Sequence, residues 1–384
     1  MIRLKGITWN HTRGYLPMIA TAQRFSEQHP YVQIAWEKRS LQQFAEMPIE
    51  GLAEHFDLVI IDHPFSGYAG AHDVLIPLNE YIAKPFLDDQ QRNGVGCSHT
   101  SYHANGSQWA LAIDAATPIS GWRPDLLEHA SAMVPQTWDE LIEMAKLGIV
   151  ALPAVPIDSL MNFYMLCGAL GEDPFLGRET VVSTEIGVQA LRMLRHLVSL
   201  CSPECLVRNP IATWELLSSG DTVAYCPFAY GYSNYSRRGY ASNVLQVGGL
   251  VAMNSKVVLR STLGGTGLAI SSKCQHKELA AEYAAYVASE QCQRTLYFES
   301  GGQPGYRAAW LDTAVNQRSN HFFAATLPTL DAAFVRPTFT GYIPFQDQAG
   351  SIIHTYLQSC AEEREVLKDL TYLYAKARKE ESNE

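Results

Sequence analysis

The chain has 384 residues, of which 47% are hydrophobic and 18% are charged, and its formal net charge is −10. This length predicts two or three domains with sizeable cores, and the ordinary composition excludes a disordered, collagen-like or coiled-coil chain. The acidic balance argues against nucleic-acid binding, because phosphate contacts need clustered lysine and arginine. No apolar run reaches the roughly 18 residues needed to span a bilayer.

The first twenty residues do not have the pattern of a secretory signal. Such a signal begins with basic residues and continues with roughly 7–15 apolar ones, whereas Lys5, Asn10 and Arg13 interrupt the apolar residues here. We therefore expect either a cytoplasmic protein or a chain from which a leader has been removed.

The 8 cysteines are too sparse for a disulfide scaffold. Cys201 and Cys205 are close enough for a local disulfide, and two unpaired thiols at a helix end are the alternative. Cys97, His99 and His103 share one Gly- and Ser-rich loop, but an exposed polar loop explains them more simply than zinc does. We predict no metal site and no cofactor.

The first hundred residues alternate strands and helices. Apolar spacing predicts strands over 2–9 and 31–37 with a helix over 15–28 between them, and a continuous apolar run over 56–61 is typical of a strand buried on both faces. This order predicts an open, doubly wound sheet, in which ligands bind at the carboxyl ends of the strands. Residues 9–11 and 62–64 occupy those ends.

The rest of the chain continues the mixed pattern. Thr137 and Glu140 form a capping-box signature that starts a helix. The remaining predicted strands cover 107–114, 149–152, 222–225 and 263–270. The remaining predicted helices cover 158–170, 187–200, 214–219 and 277–288, with helices dominating from 317 to the end.

Four segments together carry a resemblance to a known family. They are Phe-Asp-Leu-Val-Ile-Ile-Asp at 56–62, Pro-Gln-Thr-Trp-Asp-Glu-Leu at 135–141, Gly-Gly-Thr-Gly-Leu-Ala-Ile-Ser at 264–271 with the helix after it, and Gly-Gly-Gln-Pro-Gly-Tyr-Arg at 301–307. In their order and spacing the chain resembles the extracellular solute-binding proteins of bacterial ABC importers, the family that includes maltose-binding protein. Each motif is weak by itself, and none identifies the ligand.

The resemblance implies an α/β, periplasmic-binding-protein-like fold with two α/β lobes, a ligand cleft and hinge crossings. The N-terminal lobe would be 1–112 plus 264–312, and the C-terminal lobe 113–263 plus 313–384. The chain would clamp a small polar solute, most readily a carbohydrate, and deliver it to a membrane permease without catalysis. A periplasmic or cell-surface monomer is the form that the resemblance implies.

Candidate ligand-binding residues are those whose side chains suit a polyol, together with glycines that let a ligand approach the backbone. Carboxylates accept hydrogen bonds from hydroxyls, aromatic faces stack on sugar rings, and the segment 225–240 holds five tyrosines. Each candidate also has a structural alternative: a core position, a helix cap, a hinge hydrogen bond or a turn. The candidates are Trp9, His11, Arg13, Asp62, His63, Asp114, Tyr225, Tyr230, Gly265, Tyr306 and Arg307.

Two other functions stay open at this point. A leaderless intracellular sensor could bind a metabolite and a partner protein. An enzyme, such as a glycoside hydrolase, could use Asp62 and Asp114 as a carboxylate pair. The sequence has no Gly-x-Ser-x-Gly elbow, no phosphate loop and no His-Glu-x-x-His. An organic acid, an amine or iron is also compatible with the sequence as ligand.

Overall fold

The computed structural model describes residues 1–177, 179–254 and 257–382. The chain forms two compact units. Unit 1 comprises Met1–Ala116, Leu263–Ala324 and Thr338–Thr340, and unit 2 comprises Thr117–Thr262, Ala325–Pro337 and Gly341–Glu384. The sequence predicts domain boundaries after residues 112, 263 and 312. In the structure the chain passes between the two units after residues 116, 262 and 324.

The strands, in chain order, are β1 (Ile2–Trp9), β2 (Val32–Arg39), β3 (Leu58–Ile61), β4 (His103–Ala104), β5 (Ser107–Gln108), β6 (Leu111–Ala116), β7 (Pro118–Trp122), β8 (Tyr225–Tyr230), β9 (Gln246–Gly248), β10 (Ala252–Asn254), β11 (Val257–Val258) and β12 (Gly264–Ile270).

The helices, in chain order, are α1 (Thr12–Gln28), α2 (Leu41–Glu46), α3 (Ile49–His55), α4 (Phe65–Ala71), α5 (Lys84–Asn93), α6 (Pro124–His129), α7 (Trp138–Lys146), α8 (Pro156–Ala169), α9 (Thr184–Ser199), α10 (Pro210–Ser219), α11 (Lys277–Ala288), α12 (Glu290–Cys292), α13 (Arg307–Leu311), α14 (Thr313–Arg318), α15 (Phe322–Asp331), α16 (Tyr342–Gln358) and α17 (Glu363–Ser382). A π-helical turn, Gln293–Tyr297, follows α12.

A five-stranded sheet in the order β2-β1-β3-β12-β6 forms the centre of unit 1. β1 pairs in parallel with both β2 and β3, as the strand–helix–strand pattern predicts. β12 runs antiparallel to both of its neighbours, so the sheet is mixed and not wholly parallel. All four residues of β3 are buried, which confirms the prediction from its continuous apolar run.

Helices α1 and α11 cover one face of this sheet. The rings of Phe25 in α1 and Tyr283 in α11 meet edge-to-face with centroids 5.3 Å apart. The Tyr283 hydroxyl lies 2.9 Å from Thr21 Oγ1, so its polar group has a partner inside the apolar layer. This packing fixes α1, and with it the loop that joins α1 to the end of β1.

Unit 2 is mainly helical around a small antiparallel sheet in the order β8-β7-β9. The capping box predicted at the start of α7 is present, since Thr137 Oγ1 accepts from Glu140 N at 3.3 Å while Glu140 Oε2 accepts from Thr137 N at 3.3 Å. Most of α8 is buried, which explains why its sequence is apolar on nearly every face.

Two local predictions in unit 2 are wrong. Residues 149–152 make a single bridge, from Val150 to Tyr225, and no strand. The strand predicted over 222–225 instead starts at Tyr225 and extends to Tyr230, into the tyrosine-rich segment that shows no strand period in the sequence.

Cys201 and Cys205 are free thiols, and burial raises their pKa values to about 12 and about 11. Within the described ranges, no helix is both long and apolar enough to cross a membrane.

Candidate ligand-binding site

The carboxyl ends of β1 and β3 define the position in unit 1 where a ligand is expected. The chain passes from β1 outward to β2 and then returns to β3 on the other side of β1, so the strand order reverses between β1 and β3. Backbone pairing between these two strands stops at Ile7 and Val59, two residues before each strand ends. The ends are therefore not paired with each other, and the residues that follow them lie at this edge of the sheet.

His11 and Trp9 lie at the end of β1. His11 is the N-cap of α1, and its Nδ1 accepts a hydrogen bond from Arg13 N at 3.0 Å. Burial, and secondarily the positive charge of Arg13, lower the pKa of His11 to about 3. The imidazole is therefore neutral near pH 7, with its proton on Nε2. Trp9 is buried, and its ring lies 5.5 Å from that of Phe44.

Arg13 and Asp114 form a buried ion pair inside unit 1. Arg13 Nε donates to Asp114 Oδ2 at 2.8 Å, and Nη2 donates to Oδ1. Burial raises the pKa of Asp114, and the charge and hydrogen bonds of Arg13 oppose this. The two-point geometry suits an ionised carboxylate held by a guanidinium. The pair connects the start of α1 to β6.

Asp62 and His63 directly follow β3. Asp62 is half-buried, and its Oδ1 accepts from the backbone N–H of His63 at 2.8 Å and lies 3.2 Å from His63 Nδ1. His63 is buried, with its ring edge-to-face on Tyr102 at 6.3 Å. Asp62 thus accepts a hydrogen bond from the next residue in the turn, and its side chain is still partly exposed at the end of the strand.

Gly265 holds a special backbone conformation on β12, with φ of +102°. A Cβ atom at this position would lie 2.4 Å from the backbone oxygen of Asp114. Glycine is therefore required for close approach of β12 to β6, whether or not a ligand also contacts this backbone.

Tyr306 and Arg307 lie at the start of α13. Tyr306 is buried, and its hydroxyl donates to Asp89 Oδ2 at 2.9 Å. Burial, together with this carboxylate, raises the pKa of Tyr306. Arg307 is half-buried.

The two candidates in unit 2 occur on β8. Tyr225 is only 1% exposed, and burial raises its pKa. Tyr230 is half-buried at the end of the strand, with its hydroxyl 3.0 Å from Thr262 Oγ1. Further along, Tyr235 is buried and donates to Glu215 Oε1 at 2.7 Å. Most rings of this segment therefore have packing roles in unit 2.

The structure joins four of the candidates through direct contacts: Arg13 hydrogen-bonds Asp114, its backbone N–H donates to His11, and its guanidinium carbon lies 5.9 Å from the Trp9 ring centroid. Asp62 and His63 form a second group at the end of β3. Tyr306 instead contacts α5 through Asp89. Within the described ranges, no three His, Cys, Asp or Glu side chains could share a metal ion.

Sequence reasoning missed Arg39, the last residue of β2. Arg39 pairs in register with Trp9, and its Nη2 donates to the backbone oxygen of Ile60 in β3 at 2.9 Å. Its guanidinium carbon also lies 5.1 Å from the Phe44 ring centroid. A basic residue at the carboxyl end of a parallel strand was the available signal.

Comparison with known proteins identifies the class. Residues 20–324 match the family model of the bacterial extracellular solute-binding proteins. This match covers more than half of the chain, so the chain belongs to that family.

A curated relative is the arabinooligosaccharide-binding protein of Halalkalibacterium halodurans. It is 22% identical over 318 residues, which cover 75% of this chain and 65% of the relative. The match thus spans slightly less than two thirds of the relative's length.

Solved structures show the same fold. Maltose-bound MalE3 of T. maritima has a TM-score of 0.82 at 17% identity, with 97% of this chain and 99% of that chain covered. A solute-binding protein of an ABC transporter from Thermotoga lettingae, bound with α-D-tagatose, has a TM-score of 0.83 at 16% identity, with 98% and 100% covered. The fold is therefore the periplasmic-binding-protein-like one, with two α/β units.

Proposed function

We propose that this protein is the solute-binding component of an ABC importer, that it binds a carbohydrate, and that it delivers this solute to a membrane permease. The observation that carries the proposal is the group of polar and aromatic side chains at the carboxyl ends of β1 and β3, in a chain of the extracellular solute-binding family. The relatives named above bind an arabino-oligosaccharide, maltose and tagatose, which favours a sugar over an amine or iron.

Within unit 1, Asp62 and His11 suit contact with hydroxyl groups. The half-buried carboxylate of Asp62 can accept from two hydroxyls, and the neutral imidazole of His11 carries a donor on Nε2. Tyr230 and Arg307, both half-buried, are the further proposed contacts. Binding through satisfied hydrogen bonds and ring stacking needs no chemical step.

We also propose that the protein does not hydrolyse the sugar. A glycosidase needs one carboxyl group that donates a proton and a second that acts as base or nucleophile. Arg13 engages both oxygens of Asp114, so Asp114 is a structural carboxylate and not a partner for Asp62 in such a pair. Consistent with the family, we propose a periplasmic or cell-surface location and a monomer.

Isothermal titration of the purified protein with maltose, D-tagatose, ribitol and arabino-oligosaccharides tests this function. We expect saturable binding of at least one of them at one site per chain, with no product after prolonged incubation. Asp62→Asn should weaken binding at least tenfold, because it removes a charged acceptor. Asp88→Asn is the matched control, since Asp88 is a partly exposed aspartate of α5 paired with Lys84. Turnover of the bound sugar, or equal loss in both variants, would contradict the proposal.

A further inference from the structure

Unit 1 contains two buried arginines near the ends of its parallel strands, and they differ in charge compensation. Arg13 is paired with Asp114 through two hydrogen bonds. Arg39 is 6% exposed, and within the described part of the chain no carboxylate pairs with it. A buried charge without a counter-charge is costly, so an arginine in this state requires an explanation.

Two of the three guanidinium nitrogens of Arg39 also lack a hydrogen-bond partner. Nη2 donates to the Ile60 oxygen, but Nε and Nη1 are buried and have no hydrogen-bond partner. Burial alone lowers the pKa of Arg39 to about 10, so the group is still charged at pH 7. The carbonyl contact and the Phe44 ring hold the guanidinium in place without neutralising it.

A second unsatisfied donor lies in the same cluster. Trp9 is 3% exposed and its Nε1 has no hydrogen-bond partner, although the ring packs against Phe44, as Arg39 does. Buried indole N–H groups normally have an acceptor. Three donor atoms on two neighbouring strands therefore lack acceptors at the edge where a solute is expected.

We infer that Arg39 and Trp9 form a subsite for a carboxylate group of the solute, so that the preferred ligand is an acidic sugar such as a uronate and not a neutral one. This inference rests on the proposed function and narrows its substrate class. The subsite lies at the carboxyl ends of β1 and β3, where the ladder pairing of these strands stops at Ile7 and Val59 and Arg39 reaches across β1 to Ile60.

The charge balance favours a carboxylate over a phosphate. A carboxylate has one negative charge, which Arg39 alone can compensate. A phosphate monoester carries up to two charges near pH 7, and the neighbouring arginine, Arg13, is already paired with Asp114. Carboxylate oxygens also offer about four acceptor positions, enough for the three unsatisfied donors.

Titration calorimetry with matched ligand pairs tests the inference. The probes are D-galacturonate against D-galactose, D-glucuronate against D-glucose, and D-glucose 6-phosphate and succinate as anions of other kinds. We expect a uronate to bind roughly tenfold to a hundredfold more tightly than its neutral partner, the range for a hydrogen bond to a charged group. Arg39→Met should remove that preference, and Arg39→Lys should retain part of it.

Arg24→Met is the control, because Arg24 is an exposed arginine of α1 in the same unit. It should leave the uronate preference unchanged. Arg39→Met should fold with an equal or higher melting temperature, because it removes an uncompensated buried charge. If Arg39→Met does not fold, Trp9→Phe, which keeps an aromatic ring and loses the N–H, should weaken uronate binding severalfold more than it weakens binding of the neutral sugar.

The outcomes separate this inference from the function on which it rests. Equal affinity for a uronate and its neutral partner, tighter binding of D-glucose 6-phosphate, or a preference that survives Arg39→Met overturns the carboxylate subsite while sugar binding stands. Binding of succinate without any sugar overturns the proposed function while the anion subsite stands. Absence of binding by every probe overturns the carboxylate subsite, and it overturns the proposed function as well when maltose, D-tagatose, ribitol and arabino-oligosaccharides also fail to bind.

Discussion

A buried aspartate in unit 2 should make stability depend on pH. Asp158 lies in the first turn of α8 and is 4% exposed, and its Oδ2 has no hydrogen-bond partner. Burial raises its pKa to about 8. The folded chain therefore keeps a proton on Asp158 at pH values where the unfolded chain, with an ordinary carboxyl pKa near 4, has lost it.

The sign and size of the effect follow from this difference. Between about pH 4 and pH 8 the folded state binds more protons than the unfolded state, so the free energy of unfolding falls as pH rises. The expected slope is up to about 1.4 kcal/mol per pH unit, or about 3 kcal/mol between pH 5 and pH 7. Below pH 4 and above pH 8 the contribution is constant. Asp158→Asn removes the titrating group and should remove this slope.

Denaturant unfolding at pH 5, 6, 7 and 8 measures the slope. Peptide-level hydrogen exchange of Pro156–Ala169 should report the transition, because the two units need not unfold together. As pH rises from 5 to 8, the free energy of unfolding of Asp158→Asn should increase relative to that of the wild type. The buried amide of the asparagine adds an offset that does not change with pH, so it does not affect this trend. Asp139→Asn, in the exposed first turn of α7, is the control. Parallel stability curves for Asp158→Asn and the wild type would refute the reasoning.

Three further substitutions should lower stability for reasons visible in the structure. Asp114→Ala leaves Arg13 buried without its carboxylate and should cost about 3–5 kcal/mol in the free energy of unfolding, measured in denaturant; a cost below about 1 kcal/mol would show that the pair is not buried in solution. In Gly265→Ala the new Cβ atom would clash with the Asp114 backbone oxygen at a residue whose φ is positive, so the free energy of unfolding should fall by at least about 2 kcal/mol. An unchanged melting temperature would contradict the close approach of β12 to β6. Thr137→Ala removes the cap of α7 and should cost about 1 kcal/mol, with faster amide exchange confined to that helix; exchange that rises elsewhere instead would argue against a local cap.

Much of the fold was accessible from the sequence, because local patterns determine it. The strand over Ile2–Trp9 and the helix over Lys277–Ala288 have the predicted bounds, since the strand-like run ends before the polar Asn10 and His11 and the helix has apolar residues at helical spacing. The segment 149–152 has an equally apolar run, but it makes one bridge, because its backbone partners come from tertiary packing and not from its own pattern.

The site was less predictable, for reasons that individual residues show. Trp9, His11 and Asp62 are candidates because ligands bind at the carboxyl ends of strands, a rule that needs only the strand positions; their contact with a ligand stays a prediction. Arg39 was missed because its significance depends on burial and on the absence of a counter-charge, which strand spacing does not reveal. The steric need for Gly265 likewise arises from contact with Asp114, which is far away in sequence.

The central claim, that the protein binds a carbohydrate solute, is tested most directly by thermal shift with a ligand panel. The panel holds mono- and oligosaccharides, polyols and sugar acids, with polyamines, thiamine and ferric citrate as the alternatives. A ligand at about one hundred times its Kd stabilises the folded state by about 2.7 kcal/mol, which should raise the melting temperature by a few degrees. The account predicts a selective rise with one sugar class and no turnover. A rise only with amines or ferric citrate, or no rise with any sugar, would contradict it.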